Sequence, residues 1–161
     1  CSLRNIMEEN KIEITFRVLR TEELSPDENR LRIAAVGAAK QAYAPYSRFY
    51  VGAAAMLRDG TIVIGNNQEN VAYPSGLCAE RIALFHAGAS YPEIPVVALA
   101  VVALKDGVFQ KSISPCCACR QVMLETEQRY GNPVRVLMCG SDKTIVIPSV
   151  KDLLPFSFSG M

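Results

Sequence analysis

An excess of charge of either sign is missing from this 161-residue chain: Lys and Arg number 17 against 16 Asp and Glu, a net charge of +1. That balance argues against a nucleic-acid binder that works through a broad basic surface. It leaves a small uncharged ligand as a natural partner. Long apolar runs are also missing. No stretch of about 18 residues lacks a charge, so neither a transmembrane helix nor a membrane partner is expected. The most apolar segment, Ile94 to Leu104, is broken by Pro95 and reads as a buried strand. No signal peptide, internal repeat, low-complexity tract or linker stands out. A lipid-bearing Cys1 would be followed by a linker, and none follows, so the expected compartment is the cytoplasm.

What the chain does have is apolar bulk. Hydrophobic residues make up 50% and charged residues 20%, with a mean hydropathy of +0.14. Such a composition excludes a disordered chain. The length fits one domain able to bury its core without disulfides. Six cysteines are present: Cys1, Cys78, Cys116, Cys117, Cys119 and Cys139. Three of them crowd into four positions. In a chain with a good core, that pattern favours metal or catalytic use in a reducing compartment.

Lys11 to Leu19 alternates, with Ile12, Ile14, Phe16 and Val18 set against Glu13, Thr15 and Arg17, and predicts a strand with one buried face. Ser25-Pro26-Asp27-Glu28 carries a capping box and opens a helix expected to end near Tyr43. Phe49 to Leu57 and Thr61 to Gly65 flank Asp59-Gly60, a hairpin signal. A polar loop follows to Gly76. Cys78 to Ala89 reads as a helix, Val96 to Leu104 as a strand, and Ser114 to Tyr130 as a helix stopped by Gly131. Strands Val134 to Met138 and Thr144 to Pro148 and a helical turn at Val150 to Leu154 complete the chain. Helices between strands favour a mixed sheet with helices on its faces.

Two segments carry the chemistry: Cys78-Ala79-Glu80 and Pro115-Cys116-Cys117-Ala118-Cys119-Arg120. Each sits at a predicted helix start, where the dipole and free N–H groups favour a thiolate. Cys116 and Cys119 are one turn apart, so both sulfurs can face one point. Cys78 would add a third ligand, leaving one position of a tetrahedral Zn²⁺ open. Glu80 lies two residues past a ligand, placed to reach a water at the metal without ligating it. C-A-E followed by P-C-x-x-C is the pattern of zinc nucleobase deaminases.

On these motifs the chain resembles the cytidine deaminase family, in the short form that acts on free nucleosides. Pro45-Tyr46-Ser47-Arg48-Phe49, the loop from Gly65 to Tyr73, Cys78 to Arg81, Ser114 to Gln121 and Leu153 to Phe158 are similar to that family's motifs, in its order. The likeness covers roughly Asp27 to Phe158. One departure is Cys117, where the family usually has Gly; we read it as a tolerated small residue.

The resemblance implies a three-layer α/β/α sandwich with a mixed sheet of about five strands. Residues 25–161 would form one deaminase domain, preceded by an N-terminal extension, 1–24, with an extra strand. It implies hydrolysis of cytidine and 2′-deoxycytidine to the uridine forms with release of ammonia, and one zinc per chain on Cys78, Cys116 and Cys119. Glu80 would be the acid–base. Arg81, with Arg120 as a second candidate, would offset the three thiolates. Asn67 and Glu69 would hold the ribose 3′-hydroxyl, the backbone of Ala79 the base carbonyl, and Phe49 would pack near base and sugar. Phe158 would enter a neighbour's site in a homotetramer.

Other readings stay open on the residues alone. A closed Cys₄ structural zinc could recruit Cys139, but it has no use for Glu80. Deaminases of a cytosine-containing antibiotic nucleoside or of polynucleotides share the metal motifs. His86, the single histidine, reads as a helix-face residue with a structural partner.

Overall fold

Ser25 opens the first helix as its Ser-Pro-Asp-Glu pattern predicts. Its Oγ accepts from the Glu28 N–H at 3.3 Å, and the Glu28 carboxylate accepts from the Ser25 N–H at 3.0 Å. The computed structural model describes residues 8–159; Cys1 lies outside them. The elements run β1 (Arg17–Arg20), α1 (Pro26–Ala39), β2 (Phe49–Leu57), β3 (Ile62–Asn66), α2 (Ala79–Ser90), β4 (Val96–Lys105), β5 (Val108–Phe109), α3 (Cys117–Tyr130), β6 (Arg135–Cys139) and β7 (Lys143–Ile147).

One sheet runs in the order β1-β7-β6-β4-β2-β3, with β5 paired to the far end of β4. Only β4 and β6 are parallel, as the helix α3 between them requires. Alternation along β2 splits the core. Ala53, Ala55 and Leu57 face α2 and α3 with Leu99, Val101, Cys119 and Met123. Ala54 and Met56 face α1 with Leu31, Ala35, Leu137 and Cys139. The result is the expected three-layer α/β/α sandwich.

Two glycines set the layer spacing. A Cβ on Gly52 would sit 2.0 Å from the Ala35 carbonyl oxygen of α1. One on Gly65 would sit 2.4 Å from the Ala83 nitrogen of α2. Close backbone approach at Gly65 holds α2 flat on β3 and so fixes where its N-terminus points. Inside the sandwich, the buried Glu127 of α3 accepts from the N–H groups of Val134 and Val150, both at 2.9 Å, and from Ser149 Oγ at 2.7 Å.

Among the described residues the sheet has seven strands rather than about five. One addition is β5, which follows a tight turn at Asp106 (φ 51°) and Gly107 (φ 78°). The other is β1, which belongs to the N-terminal segment. That segment departs from expectation. Among its described residues, only Arg17–Arg20 pairs, with β7. Ile12, Ile14, Phe16 and Val18 are 42–56% exposed, so the predicted buried face is uncovered among the described residues. The reason is register. Arg17 lies opposite Val146, and β7 ends one residue further on, before Pro148.

Helix ends shift slightly. α1 stops at Ala39, short of Tyr43, and α3 starts at Cys117 with Cys116 as its N-cap, not at Ser114. Gly131 ends α3 in the left-handed region, φ 58°. Among the described residues, no helix is long and apolar enough to cross a membrane.

Candidate metal centre and cleft

Cys78 is the N-cap of α2 and Cys116 the N-cap of α3. Neither receives a side-chain cap, so both helix starts present free N–H groups toward the sulfurs. Cys119 lies one turn into α3 and is fully buried. The three Sγ atoms lie within 4.8 Å of one another. Cys78 and Cys116 are 3.9 Å apart. Tetrahedral Zn²⁺ with Zn–S of about 2.3 Å needs sulfurs about 3.8 Å apart. The donor set is soft and thiolate-rich, and its spacing fits zinc.

Cys139 does not join this cluster. It is buried on the opposite face of the sheet, among the α1-side core residues, which removes the Cys₄ alternative. Cys117 is exposed and outside the three-sulfur group. His86 lies on the exposed face of α2.

The electrostatics follow from the geometry. A hydrogen bond from Cys119 and then the Arg81 guanidinium hold the Cys78 thiol down at about 5. Arg81 Nη2 donates to Cys78 Sγ at 3.6 Å. Cys119 shifts the other way, because the same hydrogen bond and its burial keep its proton in place. Glu80, 4% exposed, has its carboxyl raised by burial, with the Cys78 charge adding to the rise.

These groups form one end of a cleft of about 840 Å³. Phe49, Asn67, Glu69, Cys78, Glu80, Arg81 and Cys116 all line it. Ala79, the first residue of α2, is fully buried behind them, and its N–H has no acceptor within the helix.

Asn67 Oδ1 accepts from the Val51 N–H at 2.7 Å, and its Nδ2 donates to the Phe49 carbonyl at 2.9 Å. Glu69 accepts from the N–H groups of Tyr46 at 2.9 Å and Ser47 at 3.2 Å, and from the Ser47 hydroxyl. Both side chains are thereby fixed at the cleft wall. Ser47 and Tyr73 also line the cleft, although nothing in the sequence motifs that hold them assigns either a role. The signal for Ser47 was its place two residues before Phe49, in a motif already set apart.

Two predicted residues stand elsewhere. Arg120 donates to the carbonyls of Pro115 at 2.9 Å and Leu153 at 2.8 Å and to Ser114 Oγ at 2.7 Å. Its guanidinium ties the start of α3 to the C-terminal segment, with all three bonds to oxygen rather than sulfur. Phe158 is 83% exposed and does not line its own chain's cleft. Its carbonyl accepts from Gln121 Nε2 at 3.0 Å.

Fold and site together define an α/β/α sandwich with a three-thiol group suited to zinc, beside a buried carboxylate, at one end of a cleft. A family model described as "Cytidine and deoxycytidylate deaminase zinc-binding region" matches residues 25–130. The chain is 48% identical over 138 residues to a cytidine deaminase of Halalkalibacterium halodurans, covering 83% of this chain and 95% of that one. It is 43% identical over 138 residues to one from Mycobacterium tuberculosis, covering 82% and 90%. Among solved structures, a cytidine deaminase from Burkholderia pseudomallei is similar with a TM-score of 0.67 at 42% identity, covering 80% of this chain and 97% of that one. The chain belongs to the cytidine and deoxycytidylate deaminase family.

Proposed function

We propose that this protein hydrolyses cytidine and 2′-deoxycytidine to uridine and 2′-deoxyuridine, releasing ammonia. The observation that carries the reading is a buried carboxylate, Glu80, two residues past one of three converging thiols, in a cleft large enough for a nucleoside. Cys78, Cys116 and Cys119 would hold one zinc ion. That ion, when bound, supplies a Lewis acid that lowers the pKa of a water to near 7.

Glu80 does the proton work. Its carboxylate takes a proton from the attacking water and delivers it to N3 of the base, so that C4 accepts the hydroxyl oxygen. The remaining hydroxyl proton then passes through Glu80 to the amino group, which leaves as ammonia, and the C4 carbonyl forms. Atoms balance as nucleoside plus water to deaminated nucleoside plus ammonia. Burial suits Glu80 to this, since a raised pKa brings it nearer the working pH.

Arg81 offsets part of the thiolate charge through its contact with Cys78. Arg120, second in that role from sequence, serves instead as the clamp that holds Cys116 and Cys119 in place. An amide nitrogen carries two hydrogens and a carboxylate several lone-pair sites. Asn67 and Glu69 therefore retain capacity for the ribose 3′-hydroxyl beyond their protein bonds. The Ala79 N–H would meet the base carbonyl, and Phe49 would flank base and sugar.

The exposure of Phe158 supports its insertion into a neighbour's cleft in a homotetramer. We take 25–161 as the deaminase domain, 1–24 as an extension, and the cytoplasm as the compartment. The test is the ultraviolet change on deamination, read side by side for cytidine, deoxycytidine, cytosine and single-stranded DNA. Turnover of the two nucleosides alone is expected. Turnover of the polynucleotide alone overturns the reading.

A further inference from the structure

Among the described residues, β1 is the last strand of the sheet, and its outer edge has no partner. The chain upstream of it, Lys11 to Phe16, carries an exposed apolar stripe of Ile12 (56%), Ile14 (42%) and Phe16 (54%), continued by Val18 (50%). An alternating strand with an open edge is a template for another strand.

The geometry points to a second copy of this chain as its occupant: we propose that Lys11 to Leu19 pairs antiparallel with the same segment of another molecule, about a two-fold axis through Thr15. The sequence is self-complementary in that register. Ile12 falls opposite Val18 and Ile14 opposite Phe16, so one face is wholly apolar. Glu13 falls opposite Arg17 on the other face, twice per pair. Opposite charges and apolar pairs placed directly across an antiparallel ladder stabilise it.

Neighbouring registers fail. An axis through Ile14 sets Lys11 opposite Arg17, a like-charge pair. An axis through Phe16 loses both Glu13–Arg17 pairs and sets Ile12 opposite Arg20, whereas the Thr15 register leaves only Lys11 opposite Leu19, at its ends. An axis between two residues sets apolar side chains against charged ones, as Ile12 against Arg17. Arg17 donates to Glu28 within its own chain at 3.1 Å, and a guanidinium with five donors can serve a second carboxylate as well. Pairing of this kind would join the two sheets edge to edge and cover the stripe left open in one chain.

Thr15→Cys in the zinc-loaded full-length protein tests the register, because two residues on the axis lie about 5 Å apart at Cα, within reach of a disulfide. Glu13→Cys is the control. Its twin would be displaced four residues along the ladder, about 13 Å away. Under mild oxidation, with the linked peptides identified by mass spectrometry, Thr15→Cys is expected to link position 15 to position 15. Glu13→Cys should give no self-link. Adding Glu13→Arg to Thr15→Cys should slow linking by about tenfold, by turning both charge pairs repulsive. Equal self-linking at both positions, or none at position 15 above the unsubstituted protein, overturns the proposal. So does linking that Glu13→Arg leaves unchanged.

Discussion

Arg81 Nη2 meets Cys78 Sγ at 3.6 Å, three residues along the same helix. The contact is local, so it forms with the first turn of α2, and it places a fixed cation on the sulfur cluster. Arg81→Ala should raise the Cys78 thiol above its value of about 5 in the metal-free protein, since the anion loses its second-largest stabiliser after the Cys119 hydrogen bond. Thiolate absorbance near 240 nm against pH reads this. In the zinc-loaded enzyme the activity optimum should move to higher pH. An unchanged profile with zinc fully bound would remove the neutralising role.

Phe158 is exposed on a tail beyond the last turn of the fold. If it stacks on the pyrimidine in a neighbour, Phe158→Ala should raise KM by about ten- to a hundredfold. Phe156→Ala should do less. Dilution to monomers should abolish activity with zinc still bound. Sedimentation showing a fully active monomer decides against a shared site.

Glu127 organises the junction of α3, β6 and the C-terminal turn. Glu127→Ala strands two buried N–H groups and a hydroxyl, at a cost on the order of 3 kcal/mol. A fall in Tm of about 10 °C follows for a domain of this size. A change of only a degree or two in thermal unfolding would show that water replaces the carboxylate.

Glu28 makes stability depend on acid pH. Burial alone would raise its carboxyl. The Ser25 backbone and side chain, then Arg135 and Arg17, outweigh that and hold it below the ordinary 4.5. A depressed folded-state pKa adds stability that is complete above the unfolded value and is lost as pH falls through the folded one. Glu28→Gln should therefore unfold more easily than wild type near neutrality. The difference should shrink as pH falls below 4.5 and vanish once pH is under the lowered folded-state value. A difference that persists undiminished at low pH would assign the role of Glu28 to packing alone.

Local signals in the sequence carried the elements of the sandwich and of the site. The capping box at Ser25, the Asp59-Gly60 turn and the helix-start cysteines each act within a few residues. What depended on distant chain was not legible. Glu127 reads as an ordinary helix-surface residue because its partners lie seven or more positions away. Arg120 looked like a neighbour of the thiolates, since nothing near it announces the Leu153 carbonyl. β5 was missed although Asp106-Gly107 repeats the turn signal of Asp59-Gly60, because two residues are too few to show a period. The alternation predicts a strand over Lys11 to Leu19, of which only the end is strand, in Arg17–Arg20. It could not show that, among the described residues, nothing covers the apolar face.

In the proposed reaction Glu80 carries the protons while the three cysteines hold the metal independently of it. Glu80→Gln keeps the size of the side chain and removes its ability to shuttle a proton. The measurement is turnover of cytidine by this variant alongside its zinc content. One zinc per chain and a rate reduced by at least about a hundredfold are expected. A zinc-replete variant within about tenfold of wild type, a barrier change of only ~1.4 kcal/mol, would contradict that role of Glu80.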